Sequence, residues 1–278
     1  MRQERRISAV GRNVALVVGV GVFAAGALGQ YSSDFESVNV GILTGQDGYY
    51  LPNNTSIDFD VHNYAGNPLG MPGNPTGGDQ FIGAIGPAGG IFGRAQRDVP
   101  WGTGEWTIAF DIAANYLGVP GTAVNNLGSV SLQAFPGSAD FIALARWTTA
   151  EVDWQADYVW YNAAGAQLTE SVPDANFQNL NMRHWYRWSN TVNFDTNQIV
   201  EVSITDLTTN VTSTHNPVDR YLEGGAAGGL PLPTGFRFFS GGGVDGNVLA
   251  FDNINIVPAP GAMSLLALGG LAAIRRRR

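Results

Sequence analysis

The 278-residue sequence predicts an all-β protein, a single antiparallel β-sandwich set between an N-terminal signal helix and a short C-terminal transmembrane helix. Three observations carry that expectation. The chain holds 37 Gly and 14 Pro with only 14% charged residues, a composition of many turns and few helices. Between its two apolar ends, no long stretch repeats apolar residues at the 3.6-residue period of a helix. Short β-branched and aromatic segments recur instead, parted by Gly, Asn, Asp and Pro, as in sandwiches and barrels.

Residues 1–29 read as a signal peptide. Arg2, Arg5, Arg6 and Arg12 precede an uncharged apolar run over 14–28. Ala27 and Gly29 are the small residues a signal peptidase reads, so cleavage is expected before Gln30. The residues around Arg5-Arg6 fit a twin-arginine motif poorly, and general secretion is the expected route.

The sandwich is expected over 30–256. Its first strands fall at 37–43 and 56–62, and a short one at 81–85 reads as an edge. The Gly/Pro/Asn loop over 64–79 has too little apolar content to join a core. Strands follow at 106–113, 129–135, 141–147 and 158–162, with Pro136-Gly137-Ser138 as a hairpin turn. The clearest hairpin joins 184–194 to 199–207 across Asp195-Thr196-Asn197-Gln198. Val200, Val202 and Ile204 alternate there with Ile199, Glu201, Ser203 and Thr205, giving one apolar and one mostly polar face. Strands at 211–215, 236–239 and 248–256 complete the body. The fold is expected to stop by Asn255 or Ile256, because Pro258 has no N–H to donate.

The aromatic-rich strand, the Asp-Thr-Asn turn, the alternating strand after it and the terminal Phe251-Asp252-Asn253-Ile254 together resemble a jelly roll of concanavalin or laminin-G type. The resemblance implies that the last strand returns to pair near the first.

Charge and cysteine content exclude several functions. There is no lysine, and the whole chain has 15 Arg against 23 Asp and Glu, a net charge of −8. Without the two ends, residues 30–256 keep 7 Arg against 22 carboxylates, a net charge of −15. Such a body repels nucleic acid, whose binding depends on neutralising phosphates. With Cys 0, disulfides, thiol catalysis and cysteine-ligated metal are impossible.

The tail, 257–278, has three parts: the proline-bracketed Val257-Pro258-Ala259-Pro260, an apolar run over 261–274, and Arg275, Arg276, Arg277 and Arg278. Fourteen helical residues reach only about 21 Å, short of a hydrocarbon core of about 30 Å. The four arginines act as a stop on the cytoplasmic side. This order resembles the PEP-CTERM sorting signal of exported bacterial envelope proteins, with Ala259 where the family usually has Glu. The resemblance implies processing by an exosortase, a membrane-embedded cysteine protease, after transient anchoring in the inner membrane. Signal peptidase and exosortase are thus the expected processing partners.

Few side chains in the body point to chemistry. His62, His184 and His215 show no metal-ligand spacing and read as structural or surface residues. Glu151, Asp153 and Asp157 would share one face of a strand, faintly resembling the acidic strand of laminarinase-like glycosidases. Ala156 breaks that motif, so a solvated acidic strand is expected. Trp154, Trp160 and Trp185 are candidate stacking platforms for glycans, and one of Trp185 and Trp188 should be exposed, because alternation puts them on opposite faces. Asp245 and Asp252 offer oxygen ligands of the kind calcium takes, although no cofactor is required by the sequence. The expected function is that of an exported, C-terminally sorted envelope or extracellular-matrix protein without catalysis. A lectin-like module that binds extracellular polysaccharide is the alternative, and a laminarinase-like glycoside hydrolase the third reading.

Overall fold

A computed structural model describes residues 30–259, apart from 54–55, 87–91, 120–125, 136–137, 150–152, 229–230 and 241–245. The expected signal peptide with Ala27 and Gly29, and residues Pro260 through Arg278, lie outside the described residues, as do Glu151 and Asp245.

Strands follow in chain order as β1 (Tyr31–Ser33), β2 (Gly41–Ile42), β3 (Tyr49–Tyr50), β4 (Asp60–Asn63), β5 (Gln80–Ile85), β6 (Gly93–Asp98) and β7 (Glu105–Tyr116). Then come β8 (Asn126–Phe135), β9 (Ser138–Thr149), β10 (Asp153–Tyr161), β11 (Gln167–Ser171), β12 (Leu180–Asn181) and β13 (Tyr186–Asn193). The chain continues through β14 (Gln198–Asp206), β15 (Val211–His215), β16 (Gly235–Ser240) and β17 (Asn247–Pro258). Among the described residues the only helical pieces are two three-residue 3-10 turns.

Two sheets form. The first runs β15-β14-β13-β7-β17-β5-β4-β2, and the second runs β11-β10-β9-β8-β16-β6-β3. β1 pairs antiparallel with the second half of β17, Tyr31 opposite Ile256, so the last strand returns to the first as expected. Alternation aims Trp106, Phe110, Trp188 and Phe251 from the first sheet at Trp154, Tyr158, Phe236 and Phe238 from the second, all buried. Phe238 closes the interface, its ring 4.3 Å from Phe251 and 6.4 Å from Phe110. Burying rings of this size drives the sheets together.

Two bulges decide which side chains face inward. In β14, Glu201 opposes Thr191 while Ile199 opposes Val192, so Val200 is an extra residue. Ile199 is therefore buried and Val200 is not, unlike strict alternation. In β17, Asp252 opposes Asp111 and Asn255 opposes Ala109, with Asn253 at φ 47°. That extra residue turns Ile254 and Ile256 inward while Asp252 stays on the outer face.

Other expectations are corrected. The 81–85 strand is interior, held between β17 and β4. The loop over 64–79 does join a core: Leu69 and Met71 are buried with Phe81, Trp185 and Leu207 on the outer face of the first sheet. For that reason Trp185 and Trp188 are both buried although they lie on opposite faces. The body runs past Ile256, since Val257 opposes Thr107, Pro258 opposes Trp106, and the N–H of Ala259 donates to Glu105 O at 2.8 Å. The donor to β7 here is the N–H of Ala259, so the strand continues through Pro258, which has none. Val257, Pro258 and Ala259, expected from the sequence to open a sorting tail, are thus part of the folded sandwich.

Candidate functional site

The outer face of the second sheet carries a groove of about 340 Å³ across β6, β16, β8, β9, β10 and β11. Register builds it. In β6 the sequence Gly93-Arg-Ala-Gln-Arg-Asp alternates, placing Arg94 and Gln96 outward beside Phe239 and Arg237 of β16. β8 adds Ser129 and Ser131 opposite those same β16 residues. β9 and β10 supply Phe141, Leu144 and Val159 as an apolar floor. Gly128 permits the close approach of β8 to β16: a Cβ there would lie 2.1 Å from Phe239 O.

Hydrogen bonds fix the two arginines of this groove. Arg237 donates Nε and Nη2 to the Oε1 of Gln96 at 2.8 and 2.5 Å. Gln96 donates in turn to the Tyr50 hydroxyl, which donates to Asp98. Arg94 donates to Ser56 Oγ at 3.0 Å, and its guanidinium lies 5.4 Å from the ring centre of Phe239 and 5.7 Å from that of Phe92. Those two rings pack at 4.7 Å. The Nε of Arg94 is buried without a hydrogen-bond partner among the described residues. Burial pushes Arg94 down from the usual guanidinium range, and burial followed by the nearby Arg94 charge does the same to Arg237. Neither arginine is in an ion pair among the described residues, whereas Arg97, Arg146, Arg187 and Arg220 each are.

The residues singled out in the sequence lie elsewhere. Trp154 is fully buried, with its indole N–H donating to Asn181 O. Trp185 is 1% exposed and donates to Pro72 O. Neither presents a face to a glycan. Trp160 is half-buried, and the Arg220 guanidinium sits 3.7 Å above its ring, itself paired with Glu170. Asp157 is buried rather than solvated: Arg146 approaches within 2.6 Å, and Gln155 and Ser171 donate to it. Asp153 is half-buried at the start of β10. The histidines lie apart, and burial lowers His62. Among the described residues no three His, Asp or Glu side chains gather as a metal site.

Asp252 belongs to a closed network on the outer face of the first sheet. Its Oδ2 accepts from Tyr64 and Asn74, and its Oδ1 accepts from the Asn253 N–H. Asp111, opposite it, takes both Nε and Nη2 of Arg187 and further donors from Asn74, Thr76 and Asn253. Burial pushes the Asp252 carboxyl up to about 7. Its oxygens are occupied by protein donors, so a calcium ion would have to displace them.

The groove was missed in the sequence for a definite reason. The 93–98 segment has one apolar residue, Ala95, so no hydrophobic pattern marks it as a strand. The alternation Arg94, Gln96, Asp98 is its only trace.

No family model matches the chain, and no curated protein matches it. Several solved structures are similar to the chain over most of its length. They include the cellulose induced protein Cip1 (17% identity, TM-score 0.47, covering 82% of this chain and 96% of that one). The globular domain of T. cruzi calreticulin (8%, 0.45, 88% and 94%) and peanut lectin (11%, 0.42, 83% and 99%) are similar in the same sense.

Proposed function

We propose that the chain is an exported, C-terminally sorted protein of the cell envelope or extracellular matrix, and that it binds polysaccharide along the open face of its second sheet without cleaving it. The single observation behind the binding is the groove between Arg94 and Arg237. It combines an aromatic and aliphatic floor, which packs against the C–H faces of sugars, with Ser129, Ser131 and Gln167, which match their hydroxyls. Against turnover, the lining offers no carboxylate or imidazole among the described residues. A retaining glycosidase needs two carboxylates about 5 Å apart. Asp157, across from Leu144, is committed to Arg146. The test is a glycan array probed with the full-length chain purified after export. Retention of at least one glycan, lost in Phe239→Ala, supports the reading; an array that retains nothing contradicts it.

Export and sorting rest on the two ends of the sequence. The folded body carries the sorting motif as far as Ala259, which is 5% exposed. A protease needs an extended, accessible backbone, so processing is expected beyond Ala259 rather than at Val257. Intact-mass measurement of the protein from its own host checks this: a C-terminus between Pro260 and the start of the apolar run is expected, and a chain still ending at Arg278 in the membrane makes the tail a plain anchor.

A further inference from the structure

We propose that the glycan taken by this groove is acidic, with the carboxylate of a uronic acid residue seated between the guanidinium groups of Arg94 and Arg237. The inference rests on the polysaccharide-binding reading and adds the class of sugar.

Charge accounting is the first argument. The body has 22 carboxylates for 7 arginines, so an arginine without a carboxylate should be rare. Arg97, Arg146, Arg187 and Arg220 each have one. Three have none among the described residues: Arg183 is exposed to water, whereas Arg94 and Arg237 are half-buried on neighbouring strands of one face, where the Arg94 charge raises the cost of charging Arg237. Two half-buried like charges kept together without a counter-ion are costly, and an anion supplied from outside removes that cost.

Orientation is the second argument. Arg237 is held by the neutral amide oxygen of Gln96, itself fixed through Tyr50 and Asp98. That aims the guanidinium without neutralising it. A carboxylate in the same place would have cancelled the charge. Arg94 is likewise held by neutral groups alone among the described residues, the Ser56 hydroxyl and the rings of Phe92 and Phe239. With the Nε side of Arg237 taken by Gln96, a planar carboxylate can meet the remaining Nη1–Nη2 edge, and its attachment to the sugar ring leaves that ring free to lie on Phe239. The strong negative charge of the body does not oppose this at close range, because fields are screened beyond about 8 Å at physiological salt.

The experiment measures binding of the full-length exported protein, in calcium-free buffer, to polygalacturonate, to its fully methyl-esterified form, to dextran sulfate and to dextran. Polygalacturonate is expected to bind at least about tenfold more tightly than the ester, which has the same backbone without the charge. Arg94→Gln and Arg237→Gln are each expected to weaken it by about tenfold or more, while Arg183→Gln, which removes the same charge from an exposed loop, leaves it unchanged. If a glutamine variant does not fold, Arg237→Lys, which keeps the charge but not the fork, is expected to lose most of the preference for acid over ester. Equal binding of acid and ester overturns the acidic-sugar inference while leaving polysaccharide binding intact. Tighter binding of dextran sulfate than of polygalacturonate also overturns it, in favour of a sulfated ligand. Failure to bind any of the four, together with an empty glycan array, removes the polysaccharide reading itself.

Discussion

The outer faces of the two sheets are built from similar parts and end in opposite states. Each has an arginine on a central strand, a polar cluster, aromatic rings and a groove, of about 420 Å³ on the first sheet and about 340 Å³ on the second. On the first sheet the loop over 64–79 folds back and buries Trp185 against Leu69 and Met71, while Asp111 of β7 holds Arg187 of β13 through a two-point ion pair. On the second sheet no loop among the described residues covers Arg94 and Arg237, and their partners there are a serine, an amide and two phenylalanine faces. A satisfied polar cluster rigidifies a fold; one left charged and uncovered is a place for a ligand. The first face is structural, and the second is where binding is expected.

Breaking the covered face should therefore cost stability, and breaking the open face should cost binding. Trp185→Ala gives the largest expected loss of stability, about 3–5 kcal/mol in chemical denaturation, because it empties the small core under the loop and frees the Pro72 carbonyl. Asp111→Ala comes next, at about 3 kcal/mol, since it strands Arg187, Asn74 and Asn253 together. A change below about 1 kcal/mol in either variant would mean that the loop is not part of the fold's stable core.

Acidity sharpens the comparison further. Burial raises both Asp252, on the covered face, and Asp140, whose Oδ1 accepts the Glu223 N–H, to about 7 in the folded state, against the ordinary carboxylate value of 3.8. The folded chain therefore holds these protons more tightly than the unfolded chain. Stability should fall as pH rises from about 4 to about 7, by at most about 1.4 kcal/mol per pH unit for each group, and level off above that. Melting curves at pH 5.5 and 8 check it, and Asp252→Asn should remove a large part of the difference. A melting temperature that rises with pH across this range would contradict the assignment. The smallest effect on stability is expected on the open face, where Arg237→Gln should cost about 1 kcal/mol or less while weakening acidic-glycan binding by about tenfold or more.

How far the sequence reveals this arrangement differs between the same two faces. Most strands are visible because one side of each is apolar, as in Trp106–Ile112 of β7 and in Phe236 and Phe238 of β16. The bulge in β17 is also readable, since Phe251, Ile254 and Ile256 keep one face only if one residue is extra. The burial of the 64–79 loop is not readable, because two apolar side chains, Leu69 and Met71, suffice once Trp185 and Phe81 meet them from distant strands. The tryptophans stand out in the sequence for the area they bury, and Trp154 and Trp185 do so in the interior. The groove is the least visible feature, since Arg94 and Arg237 lie 143 positions apart and only strand pairing brings them together. Asp157 belongs to the same difficulty: its partner Arg146 faces it across a hairpin, and nothing in the acidic stretch itself signals burial.

The most direct measurement is a crystal structure of the exported protein grown with a uronic acid trisaccharide. The account predicts a sugar ring against Phe239 with its carboxylate within hydrogen-bonding distance of Arg94 and Arg237, and an unaltered Asp111–Arg187 pair on the other face. A sugar bound instead beside Ser32, Asp34 and Arg187 on the first sheet, with the second-sheet groove empty, would contradict it.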